Sequence, residues 1–408
     1  MSITFHQIPD AIASGFNDLN FVVSSSQSHQ TQFRYNTQIW DASGNTIASF
    51  VNLKQPTYSN LLFDAHRTVQ KYLTYDISNL IVGNKGWRNG VNVFKKFRLT
   101  VIEEYPRLSF HASGTSDWVI ATNSAMNMQD WINNGLGGRY AGNSTRKWMT
   151  NSPDHVKVRL TDSYELGTIS TFTNNVYYLK IETYGYDNAL IKTATIRNYN
   201  SALADDSNKF PSILCGPADL NASTLDTGTQ TLITDATKYY RVAAFDNTNT
   251  QSNEWKYFDL DTECLRDGTY KRLFFLNSLG RFDAFNFNQV SEDSIEVEKS
   301  RYDKLLGVLG LTTFTYNTYQ QKTSVFHSKV KQKYKLRSGF VDTDTAEWIK
   351  ELIASPLVYI LIPINSGNTW VACTVDETSY TSKKTITEKL FNIELTITLS
   401  IDSHRQAL

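Results

Sequence analysis

Apolar and polar residues alternate along much of the chain with the two-residue period of strands that bury one face. Asn20 to Val23 reads as one apolar strand. Gln32 to Trp40 alternates, with Phe33, Tyr35 and, after a shift of phase, Ile39 as inward positions. The turn Asp41-Ala42-Ser43-Gly44-Asn45 then folds the chain back onto a strand from Thr46 to Leu53. A short amphipathic patch follows, in which Phe63, Val69, Tyr72 and Leu73 share a face, and Asn92 to Glu103 is a further long strand. This spacing of strands and turns predicts an Ig-like β-sandwich over residues 1–107.

Residues 108–154 break the rhythm. Trp118 to Thr122 suits a strand and Ala125 to Asn134 a short helix, and Gly135, Gly137, Gly138 and Gly142 predict a loose segment. Alternation resumes at His155 to Leu160, and Val176 to Tyr184 answers Leu190 to Asn198 across the turn Gly185 to Ala189. Tyr239 to Phe245, Trp255 to Asp261 and Arg272 to Asn277 complete a second sandwich-like set over residues 155–279. Residues 280–408 predict an α+β module. Asp344 followed by Glu347 resembles a capping box, Trp348, Ile349, Leu352 and Ile353 share one helix face, and Ser355-Pro356 ends the helix. Strands are expected at Leu357 to Ile362, Thr369 to Val375 and Thr385 to Ile401. The predicted class is mainly β and multi-domain, with no short fixed repeat.

The 408 residues carry 40 Lys+Arg against 40 Asp+Glu. A balanced chain without a basic half argues against nucleic acid as the main partner and against a polybasic membrane anchor. The start has no basic and apolar leader of the secretory kind, and the longest apolar run, Leu357 to Ile364, is far short of the roughly 20 residues a membrane span needs. Aromatic residues reach 13%, a bias that favours strands. In the adjacent pairs Tyr177-Tyr178, Tyr239-Tyr240 and Phe274-Phe275, alternation sends one ring inward and one outward to solvent or a partner.

Catalytic and ligand-binding motifs are not found. His6, His29, His66, His111, His155, His327 and His404 show no HxH or HxxxH spacing. Asp259, Asp261 and Glu263 suggest a calcium loop, but Cys264 and Tyr270 stand where an EF-hand needs Gly and Glu, so a polar strand face is the better reading. Gly135, Gly137 and Gly138 do not make a dinucleotide turn, since Tyr140 takes the third glycine's place. Ser116 lacks the second glycine of a nucleophile elbow. Cys215, Cys264 and Cys373 are read as small buried hydrophobes in a reducing cytoplasm. No catalytic, cofactor-binding or metal residue is nominated, and no binding residue is assigned.

Two segments carry a family likeness. Arg272 to Phe285 (RLFFLNSLGRFDAF) resembles the FLN-x-LG-x-[FW]D-x-[FY] stretch of structural proteins in tailed phages of Bacteroidetes, including the crAss-like group. Glu351-Leu352, Ser355-Pro356 and Val358-Tyr359 resemble the EL-x-x-SP-x-VY pattern that follows in those proteins, and Trp370 to Val375, Lys383-Lys384 and the strand from Lys389 match that layout. Arg281 departs from the pattern, which has a second glycine there. The resemblance covers roughly the last third of the chain. It implies a non-catalytic virion subunit of the tail, neck or muzzle region, made in the host bacterial cytoplasm. Its partners would be copies of itself in a ring and other tail or portal-proximal proteins. A receptor- or glycan-binding fibre module is the alternative, and a polysaccharide-degrading tail enzyme ranks third.

Overall fold

The alternating segments form strands in a computed structural model that describes residues 3–55, 57–77, 86–106, 111–127, 135–141, 146–172, 175–228, 231–262, 270–289, 291–364, 367–376 and 391–405. Among the described residues strand accounts for 49% and helix for 10%, so the protein is mainly β. The chain divides into two compact units, the first comprising Met1–Thr262 with Asn277–Asp283 and the second Glu263–Leu276 with Ala284–Leu408.

In the first unit, a three-stranded sheet orders Ile3–Gln7, Asn20–Ser25 and Leu61–Asp64. A second sheet runs Ile12–Ser14, Val119–Thr122, Phe94–Glu104, Arg34–Asp41 and Thr46–Leu53, with Ser113–Thr115 added to Phe94–Glu104. Phe21, Val23 and Phe63 from the first meet Tyr35, Ile39, Leu99 and Val101 from the second in one core. The inward phase of Arg34–Asp41 never shifts: Phe33, Tyr35, Thr37 and Ile39 are all buried, and Thr37 hides in the alternation only because it is polar. Its hydroxyl is satisfied by Asn52 Nδ2 at 2.8 Å. Tyr72, expected on the shared inner face with Val69 and Leu73, is exposed.

A five-stranded sheet orders His155–Val158, Lys256–Leu260, Thr237–Phe245, Tyr178–Gly185 and Leu190–Arg197, and a three-stranded one orders Glu165–Gly167, Pro211–Leu214 and Trp87–Asn89. The helix expected at Ala125 to Asn134 is not formed over Ala125 to Asn127, and 128–134 lie outside the described residues. Gly135–Tyr140, expected to be loose, is helical instead. Gly135 enters it at φ +59°, where a glycine meets no Cβ penalty, and buried Leu136 and Tyr140 hold the turn against glycine's entropy. Gly142 lies outside the described residues.

The second unit is built on one sheet ordered Phe282–Phe287, Lys271–Leu276, Val358–Ile364, Gly367–Val375, Phe391–Leu399, Thr323–Val341 and Glu292–Asp303, with Ser403–Arg405 also paired to Thr323–Val341. The helix Thr343–Ala354 starts at Asp342, whose carboxylate accepts from Thr345 N at 2.8 Å, so the cap lies two residues before the expected Asp344. Such a cap is worth about 1 kcal/mol. Burial of Trp348, Ile349 and Leu352 contributes about 1.5–3 kcal/mol each, so packing rather than capping fixes the helix. Phe274 and Phe275 are both buried, against the expected one-in, one-out split, because both faces of Lys271–Leu276 are covered. The expected strand at Thr385 begins, within the described residues, at Phe391.

Candidate interaction surface

Thr323–Val341 is 19 residues long and pairs in register with Glu292–Asp303 from Glu292↔Lys335 to Asp303↔Thr323. Every residue of Glu292–Asp303 is exposed. One face of this hairpin carries Lys329, Lys331, Lys333, Lys335 and Arg337 at every second position. That stripe presents no free positive field, because each cation meets a carboxylate. Lys329 pairs with Asp402 at 2.8 Å, Lys331 with Glu298 at 2.8 Å, Lys333 with Glu296 at 2.9 Å and Arg337 with Glu292 at 2.9 Å, while Lys335 meets Glu394. The pairing holds Lys331 above and Glu298 below their ordinary pKa values through their mutual hydrogen bond.

Beyond the ion pairs the hairpin continues to a tip of different chemistry. Between Lys304 and Lys322 no residue is charged, a run of 17. Val308–Leu309 pairs with Phe314–Thr315 in a two-stranded sheet of its own, entered through Gly307 at φ +82°. Leu305 is 90% exposed and Leu311 fully so, and Leu309, Phe314, Tyr316 and Tyr319 are exposed beside them. Apolar side chains gathered on an exposed hairpin tip make a candidate interaction surface rather than a core.

The five-stranded sheet of the first unit carries a second surface. His155, Tyr257, Tyr239 and Tyr184 form a row across four strands, with successive ring centroids 4.6, 6.4 and 4.8 Å apart. The two close pairs are within 9° of parallel, so these rings stand upright on the sheet and face one another. Arg241 covers Tyr184 and Trp255 and donates to Glu182 at 2.8 Å. A sugar stacks on a ring face, and in this row the faces are taken by neighbouring rings. Tyr239 and Tyr240 follow the expected outward and inward split, whereas Tyr177 and Tyr178 both stay half-buried.

The segment Arg272 to Phe285 contains an interior turn. Asn277 N donates to Arg281 O at 2.7 Å, and Asn277 Oδ1 accepts from Leu279 N at 3.0 Å and Arg281 N at 2.9 Å. Asn277 Nδ2 donates to Met149 O at 3.0 Å. Gly280 has φ +79°, and a Cβ there would lie 1.9 Å from Asn123 O. Arg281, the departure from the pattern, is buried with Nη2 donating to Phe210 O at 2.9 Å and Nη1 3.9 Å from Glu165; burial lowers its pKa. Asp283 accepts from Thr150 Oγ1 at 2.9 Å. Near it, Lys256 donates to the carbonyls of Ser152 and Pro153, and burial lowers its pKa to about 8 against the pull of Asp283 and Asp154.

The remaining candidates have structural duties. Asp259 meets His155 at 3.0 Å and Asp261 meets Arg159 at 2.9 Å, while Glu263 and Cys264 lie outside the described residues. Ser116 Oγ accepts from Leu99 N at 3.0 Å, fixing a strand. Cys215 and Cys373 are buried free thiols whose pKa burial raises, Cys373 to about 12, which opposes thiolate chemistry. Among the described residues, Asp18, Asp64 and His66 bring three metal-type ligand atoms within 4.8 Å. Asp64 Oδ1 already accepts from Leu19 N at 2.9 Å and His66 N at 3.1 Å, and its Oδ2 pairs with His66 Nδ1, so these groups have partners within the fold. No helix among the described residues is long and apolar enough to cross a membrane.

No family model matches the chain, and no curated protein matches it. The exposed hairpin was not foreseen from hydropathy, because Glu292–Asp303 buries none of its residues and Thr323–Val341 buries Val330, Tyr334 and Leu336 only between cations and polar residues. Its signal lies in the cations at every second position from Lys329 to Arg337 and in the uncharged run that precedes them.

Proposed function

We propose that the chain is a non-catalytic structural subunit of a phage virion, used in many copies in a tail, neck or muzzle assembly and acting through protein–protein contacts. The observation that carries this reading is the ion-paired hairpin with its uncharged apolar tip. Ion pairs keep the stem soluble and in register, while an exposed apolar tip is stabilised only when a partner covers it. In this reading the paired sheets of residues 1–107 and 155–279 are Ig-like sandwich modules, and the helix-bearing last part is an α+β module. The protein is made in the host bacterial cytoplasm and ends in the virion, among copies of itself in a ring and other tail or portal-proximal proteins. The buried motif turn is consistent with the resemblance, because its signature residues Asn277, Leu279, Gly280 and Asp283 each have a packing or hydrogen-bonding duty.

Sedimentation of the purified chain over a wide concentration range, together with mass spectrometry of purified virions, tests this. Concentration-dependent assembly and presence in the virion are expected. A strictly monomeric protein that virions lack would overturn the reading. The aromatic row, whose ring faces are taken by neighbouring rings, does not favour the glycan-binding alternative, which a glycan array with hits lost on Tyr257→Ala would promote.

A further inference from the structure

The chain's exposed sheet edges are not treated alike. Glu292–Asp303, an edge strand, carries seven charged residues in 12, the usual protection against unwanted pairing. Leu190–Arg197, another edge, carries Lys192 and Arg197 and is partly covered, with Thr195 bridged to Thr227 and Arg197 N donating to Asp226. Thr46–Leu53 has none of these devices. It is an eight-residue edge strand with no charge and no proline, and the uncharged run spans residues 42–53 between Asp41 and Lys54. Phe50, Val51 and Leu53 are exposed on it, Leu53 at 74%. Among the described residues only Arg34–Asp41 pairs with it.

The hairpin tip has the complementary deficiency. Its Val308–Leu309 and Phe314–Thr315 strands pair only with each other among the described residues. A two-stranded sheet is marginal in water and gains stability when a third strand joins it. An open uncharged edge and an unfinished uncharged hairpin match in chemistry, and both exist on one chain.

We infer that the strand Thr46–Leu53 is the docking edge for the hairpin tip, residues 305–321, of a second copy of this chain, which adds to the sheet by β-augmentation. This rests on the reading of the protein as a multi-copy subunit and specifies how copies join. Because donor and acceptor are different surfaces, the contact is heterologous and repeats head to tail into a ring or filament.

The test uses the full chain in analytical ultracentrifugation. The donor variant carries Leu309→Lys and Phe314→Lys, the acceptor variant Ser49→Lys and Val51→Lys, and urea midpoints equal to wild type certify their folds. Each variant alone should assemble at least tenfold more weakly than wild type. Mixed one to one, they should form dimers and nothing larger, since one intact tip meets one intact edge. Loss of assembly in the acceptor variant alone would mean that edges pair with each other, and would overturn the tip as occupant. Assembly of both variants as in wild type would overturn the docking and leave the subunit reading standing. Wild type that stays monomeric throughout would overturn both. Should a lysine variant fail to fold, the double variant Val51→Cys with Leu309→Cys supplies the decision. Oxidation should link copies into a ladder only when both cysteines are present, and dimers from Val51→Cys alone would refute the proposal.

Discussion

Two hairpin turns in the last third of the chain solve opposite problems. Between Lys271–Leu276 and Phe282–Phe287, the turn at Asn277 to Asp283 is buried, and a Cβ on Gly280 would strike a backbone oxygen. Between Glu292–Asp303 and Thr323–Val341, the connection bears exposed leucines and aromatics and, from Leu305 to Gln321, no charge. The first turn spends its side chains on its own fold, satisfying donors and acceptors that water cannot reach. The second leaves its apolar groups in water. Exposure of this kind disfavours solubility unless something covers it, so the contrast separates residues with a packing role from residues that our proposal assigns to contact.

The comparison breaks most sharply at Gly280. Gly280→Ala places a methyl against Asn123 O with φ held positive, and should cost about 4 kcal/mol or more, seen as a collapsed urea midpoint or insoluble protein. Asn277→Ala comes next. It removes three buried side-chain hydrogen bonds and should cost about 3 kcal/mol by the same measurement.

Lys256 sharpens the comparison through pH. Its pKa is about 8 in the folded protein and near 10.5 in the unfolded chain. Between those values the unfolded chain holds a proton that the folded one has shed, so this group's contribution to stability increases with pH from about 8 towards 10.5. Urea midpoints measured from pH 7 to 9.5 should therefore rise more steeply in wild type than in Lys256→Met. A parallel course would show that the buried ammonium carries no such penalty. The tip should give the smallest effect. Leu309→Ser with Leu311→Ser should leave the midpoint of the isolated subunit within about 0.5 kcal/mol of wild type, because both side chains are already exposed. A larger loss would make the tip part of the fold.

Strands with one buried face were legible because hydropathy carries their period, as in Phe94–Glu104 and Tyr178–Gly185. The hairpin was missed because Glu292–Asp303 has no buried face and the apolar positions of Thr323–Val341 are interrupted by Gln332 and flanked by cations. Thr37 was missed because its inward position is polar and is tolerated through a hydrogen bond from Asn52, its diagonal neighbour on the next strand. The motif turn at Asn277 to Arg281 was readable as a turn, but its burial depends on Met149, Phe210 and Asn123, all far away in the sequence. The aromatic row was beyond local pattern, since His155 and Tyr257 become neighbours only through parallel pairing of distant segments. Single residues gave the elements; what the surfaces offer depends on register.

The membership of Asn277–Asp283 in the first unit also has a consequence for synthesis. A chain emerging from the ribosome folds its leading part first. Here the leading unit lacks its last buried segment until residue 283 is out, after the opening strand of the second unit has already been made. We expect nascent chains halted with residue 262 exposed to stay protease-sensitive and those with residue 283 exposed to become resistant. Equal resistance at both lengths would refute that order. The same seven residues that finish a core would then act as a checkpoint on when folding completes.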